Sequence, residues 1–205
     1  MPNAYRDIAF TPSVQAAQTA EGSRDLNARQ QARPGPSNDS LTADEAAFLA
    51  QRDSFYMASV SETGWPYLQH RGGPAGFVKL LDPQTIGFAD FAGNRQYVSL
   101  GNLAGDDRVS FFFMDYANRA RLKMFGHASV IGPEDPRLDA LAVEGYRARI
   151  ERGFVIRVAG FDWNCPQHIT RRFTLDDVEQ ATAKMMARIA ELESELAALK
   201  QAQSG

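Results

Sequence analysis

Residues 108–131 read RVSFFFMDYANRARLKMFGHASVI. Arg108–Asp115 and Arg121–Ile131 are rich in aromatic and β-branched side chains, and the turn at Ala117-Asn118 separates them. This predicts two strands joined by a short turn, the second of them long. A turn of that length joins antiparallel neighbours, because a parallel pair needs a crossover of a dozen residues or more. The class of the whole chain follows from this stretch.

The flanks repeat the pattern. Phe55–Val60 and Trp65–Arg71 surround the turn Ser61-Glu-Thr-Gly64 and read as a second hairpin, and Thr85–Phe91 is a further short strand. Phe154–Phe161 alternates with near period two and adds another. Thr42 with Glu45 forms a capping box that opens a helix to about Arg52. Asn94 is placed to cap a short helix through Leu103, and Pro136 to Ile150 has helical spacing. About six strands in meander order predict a mainly β domain with flanking helices, an antiparallel barrel or sandwich.

Residues 1–39 lack periodicity, and Ala32–Asn38 has the composition of a loop. The expectation is an extended N-terminal arm wrapped on a partner subunit. At the other end, Thr174 with Asp177 starts a helix over 174–201. There Leu175, Val178, Thr182, Met185, Ile189, Leu192, Leu196 and Leu199 recur at alternating steps of three and four. Such a narrow stripe either packs on the chain's own barrel or makes a coiled-coil contact with a second subunit; the strict spacing favours the second, which Thr182 would weaken locally.

Composition narrows the classes of function. The chain has 205 residues, 44% hydrophobic, which suits one domain, here 40–173, with a tail at each end. With 22 basic against 25 acidic residues it lacks the positive excess of a nucleic-acid binder. No apolar run approaches the ~20 residues of a membrane span. The N-terminus, with Asp7 and Glu21, has no signal core, and the single cysteine forms no intramolecular disulfide. The expected location is the cytoplasm.

Residues 160–170, GFDWNCPQHIT, hold that cysteine, one of three histidines and one of two tryptophans. Cys165 and His168 have the C-x-x-H spacing of two zinc ligands, but a closed site needs four, and His70 and His127 sit in separate strands. A Cys165 thiolate paired with His168 is a second reading, without an identifiable orienting group. The third is a pocket wall: Trp163 offers a flat ring beside the polar groups of Asn164, Gln167 and His168, suited to a planar heteroaromatic ligand. Elsewhere Arg71 closes a strand before Gly72-Gly73, Asn94-Arg95 follows Gly93, and Arg119, Arg121 and Lys123 cluster at a strand start. Arginines, exposed backbone amides and a helix N-terminus together make a phosphate site.

At the segments QHRGGPAGF (69–77), 87–116, RARLKMFGHASV (119–130) and GFDWNCPQHIT the sequence resembles the pyridoxamine 5'-phosphate oxidase-like FMN-binding proteins, over roughly residues 40–173. The resemblance implies a split β-barrel and a homodimer with sites at the subunit interface. It implies FMN as cofactor, with haem or a deazaflavin as alternatives in the same barrel. It assigns Arg71, with Gln69 and His70 beside it, to the flavin phosphate. The run Asn94-Arg95-Gln96 takes the same role, with Gln96 where a lysine is usual, and Phe91 and Ala92 border the flavin edge. Arg119 or Arg121 meets the flavin or its phosphate tail. Trp163, Asn164, Gln167 and His168 reach the ring, often from the partner, with Gln167 or His168 at the pyrimidine edge. The implied function is a flavin-dependent oxidoreductase, or alternatively a protein that stores or senses flavin. The substrate-phosphate pattern of the oxidase itself finds no match, although Arg171 and Arg172 are basic.

Overall fold

The computed structural model describes residues 3–33, 35–163 and 166–203. Among them run α1 (Ala4–Ala9), α2 (Pro12–Ala20), α3 (Arg24–Ala32) and α4 (Ala43–Ala50), then β1 (Ser54–Val60), β2 (Pro66–Gly72), β3 (Val78–Asp82) and β4 (Thr85–Phe91). α5 (Val98–Gly105), β5 (Arg108–Asp115), β6 (Ala120–Ile131), α6 (Arg137–Ala140), β7 (Ile150–Trp163) and α7 (Leu175–Gln203) follow. The chain forms two compact units, one of Met1–Asp115 with Ala120–Pro166, the other of Tyr116–Arg119 with Gln167–Gly205.

In the first unit the strands make one antiparallel seven-stranded sheet, ordered β2-β1-β5-β6-β7-β4-β3. The sheet curls. Phe55 on β1 and Phe88 on β4 have ring centroids 5.0 Å apart, although β5, β6 and β7 stand between their strands. In a flat sheet those strands would be roughly 19 Å apart. The alternation expected of half-buried strands is plain in β5, where Val109, Phe111 and Phe113 are buried and their neighbours are not. These side chains join Met57, Ile86, Leu122, Met124 and Ile156 in one core. The edge strands β2 and β3 do not pair with each other, so the barrel is split on that side.

The bounds of β4 and β5 are those read from the sequence, and the capping box is present: the Thr42 amide donates to Glu45 Oε2 at 2.9 Å. Other elements differ. β3 is a five-residue edge strand, too short to show alternation in the sequence. The helix expected over 136–150 stops after one turn at Ala140; farther on Gly145 is left-handed (φ +76°) and Ile150 is already paired with Phe91. α5 starts at Val98 rather than Asn94. The Asn94 side chain accepts from the Gln96 amide at 3.2 Å, and Arg95 and Tyr97 are left-handed (φ 60° and 53°), which breaks the helix there.

The N-terminal arm is not extended but carries α1 to α3. Asn3 caps α1 by accepting from the Arg6 amide at 3.0 Å, and Thr11 with Pro12 starts α2. Helices of six to nine residues are too short to display a periodic stripe. α1 packs on the outer face of the sheet. Tyr5 stacks on Phe125 at 4.7 Å, the Lys123 ammonium lies 4.8 Å from the Tyr5 ring, and the Ala4 amide donates to Ser37 O at 2.7 Å. Gly160 permits this approach, since a Cβ there would stand 2.6 Å from the Tyr5 nitrogen. Gly160→Val is therefore expected to lift α1 from the sheet, at a cost of about 1–3 kcal/mol. Faster proteolytic cleavage within residues 3–33, ahead of any cleavage in the strands, is the readout.

Candidate functional site

The site lies on the split side of the barrel. β2 alternates, with Tyr67, Gln69 and Arg71 half-buried and Leu68 and His70 exposed. Gln69 and Arg71 thus line a cleft of about 170 Å³, together with Phe91, Asn94, Arg95, Gln96, Tyr97 and the first turn of α5. Gln69 and Asn102 anchor that helix: Ser99 Oγ donates to Gln69 Oε1, and Asn102 Nδ2 to Ser59 Oγ, both at 2.9 Å. Tyr97 stands at the N-cap of α5 and makes no side-chain cap, so the first-turn amides lack a side-chain acceptor.

Arg71 crosses the split. Its Nη1 donates to Asp90 Oδ1 on β4 at 2.5 Å, and its guanidinium carbon lies 5.0 Å from the Phe154 ring centroid. The second Asp90 oxygen is 3.4 Å from Arg152 Nε. Arg152 also donates to Glu151 at 2.9 Å, and its guanidinium carbon lies 4.9 Å from the Tyr97 ring centroid. Glu151 is the extra residue of a bulge, because the β4–β7 register passes from Asp90↔Arg152 to Phe91↔Ile150. A bulge re-aims its side chain, here into the cleft. Burial raises the Glu151 pKa, but hydrogen bonds and positive charge from Arg152 and Arg149 outweigh that and hold it below its ordinary value. The Nε atoms of Arg71 and Arg152 are buried and have no hydrogen-bond acceptor.

Arg95 is held differently. Its Nε donates to Tyr97 Oη at 3.3 Å, and Tyr97 Oη donates to Glu151 at 3.4 Å. These interactions raise the Arg95 pKa further above its ordinary value. The cleft therefore sets Arg71, Arg95 and Arg152 against Asp90 and Glu151.

Of the expected residues, Gln69, Arg71, Phe91, Asn94, Arg95 and Gln96 meet at this cleft. His70 faces outward against Tyr56, with ring centroids 5.6 Å apart, and borders a smaller hollow shared with Gln69, Arg71 and Phe91. Ala92 stays outside the cleft lining, and its amide donates to Arg149 O at 2.9 Å. Arg121 and Trp163 stand at the opposite end of β7, where Leu122 pairs with Trp163. The Trp163 indole donates to Glu45 Oε1 at 2.7 Å, and it makes a T-shaped contact with Phe48, ring centroids 4.7 Å apart. Arg119, Gln167 and His168 belong to the second unit, where Arg119 and His168 are left-handed (φ 55° and 62°). Asn164 and Cys165 lie outside the described residues. Among the described residues no group of three His, Cys, Asp or Glu is placed to hold a metal, and no helix is long and apolar enough to cross a membrane.

Sequence reasoning missed Asp90, Tyr97, Glu151 and Arg152. Asp90 had a visible signal, an acid inside an apolar strand. Glu151 and Arg152 had none, because the helix expected over 136–150 hid the start of β7.

Comparisons with known proteins bear on the same region. The family model for pyridoxamine 5'-phosphate oxidase matches residues 41–164. No curated protein matches the chain. Similar solved structures include HupZ from Group A Streptococcus, 15% identical, covering 65% of this chain and 100% of that one, TM-score 0.49. An FMN-binding protein from Syntrophomonas wolfei subsp. wolfei is 14% identical, covering 60% and 85%, TM-score 0.47. A Clostridium acetobutylicum protein related to general stress protein 26 of B. subtilis is 12% identical, covering 66% and 94%, TM-score 0.46.

Proposed function

We propose that this chain, which belongs to the pyridoxamine 5'-phosphate oxidase family, binds FMN at the Arg71 cleft and acts as a flavin-dependent oxidoreductase. The observation that carries this reading is the convergence of Arg71, Arg95 and the uncapped first turn of α5 on one cleft. A phosphate there would meet two guanidinium groups and a helix N-terminus. The buried, acceptor-less Nε of Arg71 supports the same assignment. Asp90 opposes it in part, since the phosphate must share Arg71 with that carboxylate. Gln96, in place of a lysine, adds an amide and no charge.

In this reading Arg71, Arg95 and the α5 amides hold the phosphate, and Gln69 keeps α5 in position through Ser99. Phe91 and Tyr97 form the apolar side of the cleft. Bound FMN supplies hydride or electron transfer, and the protein binds and orients it.

One chain offers about 170 Å³ at this cleft, whereas pockets for ligands of this size run about 300–1,000 Å³. Trp163 stands twelve residues along β7 from Glu151, a path of roughly 40 Å at strand rise. Both facts support a homodimer in which a second copy closes the cleft with Trp163, Asn164, Gln167 and His168.

A visible absorption spectrum taken after FMN saturation and desalting tests the proposal. Retained flavin bands are expected, and bleaching by NADH or NADPH without oxygen would establish the oxidoreductase. A flavin that stays oxidised would leave binding or storage. A protein that keeps no FMN overturns the cofactor assignment.

A further inference from the structure

α7 carries an apolar stripe that the described residues of its own unit leave open: Ile189, Leu192, Leu196 and Leu199 are 42%, 47%, 52% and 61% exposed. The helix is 29 residues long. Helices in proteins owe most of their stability to packing of such a face rather than to propensity.

In heptad terms Leu175, Thr182, Ile189 and Leu196 take position a, and Val178, Met185, Leu192 and Leu199 take d. Charges then fall on the flanks, with Arg188 and Glu195 at g and Glu193 and Lys200 at e. In a parallel, in-register pair each g residue meets the partner's e residue five places on. Arg188 would meet Glu193, and Glu195 would meet Lys200. Both pairs are opposite in sign, and the two-fold axis doubles them. The Ala181–Met186 pair is uncharged, and Thr174–Glu179 brings no like charges together.

We propose that α7 pairs with α7 of a second copy as a parallel, in-register, two-stranded coiled coil. In the single chain Arg188 reaches along its own helix to Glu191 at 2.9 Å and to Glu195 at 3.8 Å, all three side chains well exposed. These exposed contacts exchange readily for contacts across a seam. An antiparallel pair centred between Ile189 and Leu192 also finds opposite charges, Arg188 with Glu195 and Glu179 with Lys200. The orientation therefore rests on Thr182, which meets its own copy, polar with polar, in the parallel pair and is set against Leu199 in the antiparallel one.

The test uses the full chain with Cys165→Ser, carrying Val178→Cys, Leu199→Cys or, as a control at the outward f position, Ser194→Cys. Under mild oxidation the first two are expected to give disulfide-linked dimers and the control none. In the antiparallel pair the two copies of position 199 lie about 25 Å apart and do not link. Absence of linkage at both seam positions overturns the pairing, and so does linkage of Ser194→Cys at the same rate. Adding Arg188→Glu to Leu199→Cys should slow linkage about fivefold, and further addition of Glu193→Arg should restore it. Failure of that rescue overturns the parallel register. None of these results depends on whether flavin binds.

Discussion

Arg71→Ala is expected to weaken FMN binding roughly 10- to 100-fold, the worth of a charge-assisted contact to a phosphate. Riboflavin, which lacks the phosphate, should bind wild type and variant within a few-fold of each other. The comparison matters because Arg71 has a second role: it ties the edge strand β2 to β4 across the split through Asp90, with both side chains largely buried. Removing one partner of a buried ion pair costs about 3–5 kcal/mol when the other is left alone. Here Arg152 remains 3.4 Å from Asp90, so the fold should lose less than that. Fluorescence titration with both ligands, alongside a thermal scan, separates the roles. Equal loss for FMN and riboflavin would mean that Arg71 acts through the fold. Unchanged FMN affinity would move the phosphate elsewhere.

Phe55→Ala should have the largest effect on stability. Phe55 is 1% exposed, and its ring centroid lies 5.5 Å from Phe77, 5.0 Å from Phe88, 5.6 Å from Phe111 and 5.0 Å from Phe113. It joins β1, the segment after β2, β4 and β5 at the centre of the curl. Truncation leaves a cavity bounded by rings on several strands, which cannot all move inward. The expected loss is about 3–5 kcal/mol, a large part of the ~5–15 kcal/mol that holds a domain together. Equilibrium denaturation of wild type, Phe55→Ala and Phe55→Leu measures it, with the leucine variant recovering part of the loss. A loss under about 1 kcal/mol would show that these rings do not form the keystone of the core.

Both effects show where reading of the sequence stopped. Phe55, Phe111 and Phe113 are visible as inward positions of two strands, but not their contact with Phe88. Nothing in a linear pattern says how far a sheet curls. Arg71, Asn94 and Arg95 were singled out from the sequence as candidates, and the structure brings them to one cleft. Their partners were not singled out. Asp90 and Arg152 meet only because β4 pairs with β7, and Glu151 enters the cleft only because a bulge turns it there.

The elements whose signal is local were determined by the sequence alone: the capped helix at Thr42, the strands β4 and β5, the antiparallel class and the stripe along α7. Each depends on contacts within a few residues or on one repeated spacing, which a single chain displays directly. The tertiary structure alone decided the approach of α1 over Gly160. It also decided the separation of Trp163 from the Arg71 cleft and the carboxylates that share the cleft arginines. Those features depend on which strands become neighbours, and that choice is made by burial of the whole core rather than by any one segment.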